Sequence, residues 1–209
     1  QRALQSSRVM EIKMKEPLVF LFMGRAGCGK GTQADLLLKY LEINGYGKAA
    51  YIYVGSALRN FVENDNSLTS KLAGKIMEEG DMEPSFLAVW ALANNLIDKM
   101  SENTTFISDG FPRNLTEAGI IDEAIDFYGL KNVYPVFIET SRESSRKRLL
   151  ERSRSDDTET AIKRRLDYFD EYVQPVIDYY EKKSKHKLVR INGEQSVEGT
   201  HQEILEKVF

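Results

Sequence analysis

Residues Leu18–Met23, LVFLFM, form a continuous apolar run. A run of that length without polar alternation predicts a strand buried on both faces, as in a parallel sheet. The next apolar positions, Ala34, Leu37, Leu38 and Leu41, fall at helical spacing within Gln33–Glu42, and Asn44-Gly45 supplies a stop. Ala49–Val54, rich in Tyr and Ile, predicts a second strand. Ser56–Met100 predicts mostly helix, broken near Asn64–Asn66 and at Gly80–Pro84. Thr104–Ser108 predicts a third strand and Asn114–Tyr128 a helix. Val133–Ile138 predicts a fourth strand, although Pro135 cannot donate to a ladder. Ser141–Glu151 predicts a charged helix, followed by a polar break at Ser153–Asp157. Asp156 with Glu159 has the form of a capping box opening a long helix to about Lys183, kinked at Pro175. Lys187–Ile191 and Ser196–Val208 predict a fifth strand and a last helix.

This alternation predicts an α/β fold, a five-stranded parallel sheet flanked by helices, with the helical stretch after the second strand as an insert. The 209 residues, 42% hydrophobic and 29% charged, fit one soluble domain with a real core. A net charge of -3 gives no bulk reason to bind nucleic acid or a membrane. The single cysteine, Cys28, excludes an internal disulfide framework and a cysteine-built zinc site, and fits a reducing, cytoplasmic setting. No apolar run approaches the roughly 18 residues that span a bilayer. Residues 1–16 are polar, mixed in charge and without the apolar block of a signal peptide, so they are read as an N-terminal extension, with 17–209 as the folded domain.

Candidate chemistry begins directly after the first strand, where residues 24–32 read GRAGCGKGT. The spacing Gly24-x4-Gly29-Lys30 meets the phosphate-loop template, with Gly31 inserted before Thr32. Glycines let backbone N–H groups turn inward, and the following helix aims its positive end at the same point. Lys30 supplies a mobile charge for terminal phosphates, and Thr32 can reach a magnesium ion or a phosphate oxygen. Cys28 reads as a small filler within the loop. Asp109, at the end of a strand, suits an outer-shell partner of magnesium, an ion that tends to keep its waters.

The segment GRAGCGKGTQ resembles the GxPGxGKGTQ loop of adenylate kinases, with Ala26 where that family usually has proline. The resemblance runs on to the C-terminus. Val54-Gly55-Ser56-Ala57-Leu58-Arg59 resembles the TGDLLR block that lines the acceptor monophosphate. Gly80-Asp81-Met82-Glu83-Pro84 resembles the GxLVP turn that touches the acceptor base, and Asp109-Gly110-Phe111-Pro112-Arg113 matches DGFPR. The resemblance implies a nucleoside monophosphate kinase, adenylate kinase first, with a nucleotide-binding insert at about 54–84 and a short lid at about 149–158. It implies ATP and AMP as partners, magnesium without zinc, and a monomer. By the same resemblance Gly27, Cys28, Gly29, Lys30, Gly31, Thr32, Arg148, Arg152 and Gln195 hold the donor. Val54, Gly55, Arg59, Met82, Glu83, Gly110, Arg113 and Glu117 hold the acceptor. Lys30, Arg113, Arg154 and Arg165 embrace the transferring group, while Arg142, Arg146 and Arg164 are left as solvated surface arginines.

Three departures bear on specificity. Val54 and Ser56 replace the usual Thr and Asp, and Val54 and Asn114 look like relatives that phosphorylate UMP and CMP. Glu117 stands where adenylate kinases usually have Gln, and an ionised Glu only accepts hydrogen bonds. The segment RLLERSRSDDTETAIKRR is shorter than other short lids, so water exclusion is weaker and hydrolysis is expected to compete with transfer. Alternatives within reach are a UMP/CMP-type kinase, another phosphate-loop kinase or hydrolase, and a nucleotide sensor without catalysis. The two histidines, His186 and His201, read as solvated, and Tyr168, Phe169 and Tyr172 read as packing.

Overall fold

A computed structural model describes residues 15–47, 49–152, 154 and 157–209. Residues 1–14 of the expected extension, and Asp156 of the expected capping box, lie outside the described residues. The strands are β1 (Leu18–Met23), β2 (Ala49–Tyr53), β3 (Thr105–Asp109), β4 (Asn132–Glu139) and β5 (Val189–Asn192). They form one five-stranded parallel sheet in the order β2-β3-β1-β4-β5. The α/β reading therefore holds, with strand ends moved by one or two residues.

The all-apolar β1 is explained by its place at the centre of the sheet. Period-two alternation sends Val19, Leu21 and Met23 into one core, and Leu18, Phe20 and Phe22 into another on the opposite face. The second core is closed by α1 (Lys30–Ile43) and α9 (Val197–Val208), through Leu37, Leu41 and Ile204. The first is larger. It receives α2 (Val54–Asn64), α3 (Leu68–Glu79) and α4 (Ser85–Lys99), which connect β2 to β3, and α5 (Leu115–Phe127), which follows β3. After β4 come α6 (Arg142–Arg152), α7 (Glu159–Tyr168) and α8 (Gln174–Lys182).

Three sequence expectations are corrected. The long helix to Lys183 is interrupted by a π-helical turn at Phe169–Val173, and Pro175 sits harmlessly in the first turn of α8. The cap that opens α7 is Thr158, whose hydroxyl accepts from the Ala161 N–H at 3.2 Å. Pro135 lies in an internal strand, but β5 pairs with β4 only from Val136 onward, so β4 has a single neighbour at the proline. His186 is buried rather than solvated, and its Nε2 has no partner among the described residues. Burial pulls its pKa below the ordinary value, with Asp122 and Asp126 opposing. His201 is half-buried.

One close approach ties the segment between β2 and β3 to α7. Gly80, in the left-handed region at φ 77°, ends α3, and a Cβ there would lie 2.5 Å from the Ala161 Cα. Only glycine satisfies both the turn and the contact.

Candidate active site

The ends of β1, β2 and β3 and the turn after β5 line one cleft of about 790 Å³. Such a crevice, at the carboxyl ends of the strands beside the point where their order reverses, is where open α/β sheets bind ligands. The glycine-rich turn leaves β1 there and enters α1 through Gly29, the N-cap residue. Gly27 has φ 83°, and a Cβ on it would meet the Ser145 carbonyl oxygen at 2.6 Å, so the loop lies hard against α6. Lys30 Nζ donates to the carbonyl oxygens of Gly24 and Arg25, both at 2.9 Å, and approaches Cys28 Sγ at 3.5 Å. Burial works to lower the Lys30 pKa, but Cys28, Asp109, Tyr168 and Tyr53 outweigh it and hold the pKa above its ordinary value. The ammonium is therefore charged at neutral pH. Cys28 is buried, as a filler residue would be.

Gly31 and Thr32, in the first turn of α1, line the same wall, and Asp109 faces them from the end of β3. Asp109 Oδ2 accepts from the Tyr51 hydroxyl at 2.8 Å. Across the cleft, Arg148 Nη2 donates to the Gly193 carbonyl at 2.9 Å, and Nη1 approaches the Cys28 carbonyl at 3.5 Å. That arginine ties α6 to both the phosphate loop and the turn after β5, from which Gln195 also lines the cleft.

On the side formed by α2, Gly55 and Arg59 line the cleft, with Gly110 and Arg113 from the turn after β3. Arg113 Nε donates to the Gly110 carbonyl at 2.7 Å. Arg59 Nη2 donates to the Tyr53 hydroxyl at 2.9 Å, and Arg154 Nη1 reaches the same oxygen at 3.2 Å. Burial pushes the Tyr53 pKa up, but the two arginines reverse this and leave it below its ordinary value. Tyr53 thus bridges α2 to the segment between α6 and α7.

Asp157, whose side chain is fully buried, ties Arg152 of α6 to Arg165 of α7. Arg152 grips it with Nε and Nη2 at 3.0 and 2.9 Å, and Arg165 Nη1 adds a third bond at 2.6 Å. Burial works to raise the Asp157 pKa, but the paired arginines outweigh it and hold the carboxyl below its ordinary value. Asp157→Asn keeps the shape and removes the charge that holds both guanidinium groups. The variant is expected to lose up to about a hundredfold in kcat through misplaced cations while keeping its secondary structure. Steady-state kinetics beside far-UV circular dichroism check this, and unchanged kcat would remove Asp157 from the organising role.

The structure brings together in the cleft every residue expected at the site except Val54, Met82 and Glu117. Val54 is buried in the first turn of α2 and packs in the core. Glu117 is 1% exposed and serves the start of α5. It accepts from the Arg113 N–H at 2.7 Å and from Asn114 Nδ2 at 3.1 Å, while Asn114 Oδ1 accepts the Glu117 N–H at 3.0 Å. This reciprocal cap follows from Asn followed three residues later by Glu, a signal present in the sequence. Sequence reasoning missed Tyr51, Tyr53 and Asp157, which carry no motif of their own. Arg142 pairs with Asp167 and Asp170, Arg146 with Glu159, and Arg164 with Glu79 and Asp81, as partly exposed ion pairs.

Fold and cleft together define a phosphate-loop nucleotide-binding protein with a second cluster of cations facing the loop. The family model for adenylate kinase matches residues 22–185. Adenylate kinase 1 of Nostoc sp. is 34% identical over 184 residues, covering 88% of this chain and 95% of the relative. The adenylate kinase of Thermus thermophilus is 33% identical over 177 residues, covering 83% and 87%. Adenylate kinase 1 of Synechocystis sp. is 33% identical over 178 residues, covering 85% and 90%. The chain belongs to the adenylate kinase family. Its activity is that class's, phosphoryl transfer to a phosphate acceptor. Among the described residues no helix is long and apolar enough to cross a membrane.

Proposed function

We propose that the protein transfers the terminal phosphoryl group of ATP to AMP, giving two ADP. The observation that carries this reading is the opposition, within one cleft, of the Lys30 loop and the Arg59 and Arg113 pair. Two anionic groups are accommodated, one on each side. The loop from Gly27 to Thr32, with Arg148, Arg152 and Gln195, takes ATP. Gly55, Arg59, Glu83, Gly110 and Arg113 take AMP. Arg154 and Arg165 close on the group in flight, with 54–84 as the acceptor insert and about 149–158 as a short lid.

An oxygen of the AMP phosphate attacks the terminal phosphorus of ATP, and the bond to the bridging oxygen breaks, its electron pair leaving with ADP. The acceptor is already an anion, so no side chain needs to remove a proton. Alignment and neutralisation of spread charge do the work. No group of three or more metal-ligating side chains exists among the described residues. A magnesium ion here would take most of its ligands from ATP phosphates and water, with Asp109 and Thr32 beside it, and would screen phosphate charge. We take the protein to act as a cytoplasmic monomer.

The test is an acceptor panel: ATP and magnesium with AMP, dAMP, CMP, UMP or GMP, with diphosphates and free phosphate read by chromatography. AMP is expected to be the fastest acceptor, with measurable phosphate release from the short lid. Preference for another base would move the protein to that kinase class. No transfer to any acceptor while ATP still binds would favour the sensor reading.

A further inference from the structure

Glu83 lies between α3 and α4, in the turn that follows Gly80, and lines the cleft. It is only 4% exposed, yet neither of its carboxyl oxygens has a hydrogen-bond partner among the described residues. Its neighbours are engaged elsewhere. Asp81 meets Arg164 at 3.0 Å, and Arg164 also holds Glu79. Arg113 is the charged group whose field reaches Glu83, but its Nε is donated to Gly110, and its backbone N–H to Glu117. Arg59 of α2 and Arg165 of α7 line the same cleft, engaged with Tyr53 and Asp157. A buried carboxyl left without a partner is unfavourable by several kcal/mol when charged and by about 1–3 kcal/mol when neutral. Such a group is expected to have a partner in a bound molecule.

Burial raises the Glu83 pKa to about 7, with Arg113 opposing. The neutral carboxyl presents one donor and one acceptor side by side. That pair matches the edge of a 6-aminopurine, whose ring N1 accepts and whose amino group donates. The related GxLVP turn has valine at this place, so the carboxyl departs from that pattern. We propose that Glu83 determines acceptor specificity by reading a 6-aminopurine with its neutral carboxyl, the O–H donating to N1 and the C=O accepting from the amino group. This rests on the AMP reading of the site.

The experiment is calorimetric binding of AMP, without ATP, to the wild type, Glu83→Gln and Glu83→Val from pH 6 to 8.5, alongside turnover. Glu83→Gln keeps a donor beside an acceptor but does not titrate. Wild-type affinity is expected to fall by roughly tenfold per pH unit above the Glu83 pKa, because only the neutral fraction binds. The glutamine variant should lack that fall, so that by pH 8.5 it binds AMP about thirtyfold more tightly than the wild type. Titration of the AMP phosphate is common to both and cancels in the comparison. Purine riboside monophosphate, which lacks the amino group, should bind the wild type at pH 6 about tenfold more weakly than AMP, and the valine variant about as well as AMP. Identical pH profiles for wild type and Glu83→Gln, or an amino-group preference that survives in Glu83→Val, would overturn the proposal. Turnover with flat profiles would overturn Glu83 alone. A Glu83-dependent binding profile without ADP formation would overturn the kinase reading and leave Glu83 in place.

Discussion

Lys30→Ala is expected to lower kcat by about a thousandfold or more, a loss typical when a fixed charge is withdrawn from a transferring phosphoryl group. The fold should survive. Among the described residues Lys30 Nζ bonds only to the Gly24 and Arg25 carbonyls and to Cys28 Sγ, at the start of α1. Positive φ at Gly27 and Gly29, with the packing of Gly27 against Ser145, shapes the loop without the lysine. The variant should therefore keep its far-UV circular dichroism and melt within a few degrees of the wild type. Its kcat should remain low at saturating ATP, since a full charge is missing and affinity alone cannot replace it. Normal turnover in the folded variant would refute the active-site assignment.

Arg113→Ala is expected to have the second largest effect, with KM for AMP rising about a hundredfold and kcat falling by a similar factor, and ATP affinity little changed. Burial works to lower the Arg113 pKa, but Tyr168, Glu117, Tyr53 and Asp109 together raise it, so the guanidinium stays charged inside the protein. Its Nε is fixed on the Gly110 carbonyl, and Nη2 lies 3.2 Å from where a Gly110 Cβ would stand. The remaining donors are thus oriented by the backbone turn after β3. Arg113→Lys should restore the charge without the planar fork and recover only part of the loss. Separate measurement of KM for AMP and for ATP decides the matter, because a structural defect alone would raise both.

The parts of the fold that the sequence makes legible are those with strong periodicity. β1 reads as a buried strand because all six residues are apolar, and the breaks at Asn64–Asn66 and Gly80–Pro84 mark the ends of α2 and α3. The phosphate loop and DGFPR are legible because backbone conformation demands those residue types at that spacing. Asp157 was not, since one acidic residue in a polar break looks solvated until Arg152 and Arg165 converge on it from two helices. Tyr53 ends a strand, and nothing local distinguishes it from packing residues such as Phe169, which stacks on Phe137 with centroids 6.3 Å apart. Glu117 carries two signals. Comparison by position pointed it at the base, whereas the Asn114–Glu117 spacing already described a helix cap. The π-helical turn at Phe169–Val173 has no sequence signal, and Pro175 drew attention to the wrong residue.

The most direct measurement supplies ADP and magnesium alone and follows all three adenine nucleotides by phosphorus NMR. A kinase that joins ATP and AMP in this cleft must also run backward. The account predicts that ATP and AMP appear in equal amounts until equilibrium is reached, and that Lys30→Ala abolishes their formation. ADP left unchanged, or broken down to AMP and free phosphate without ATP, would contradict it.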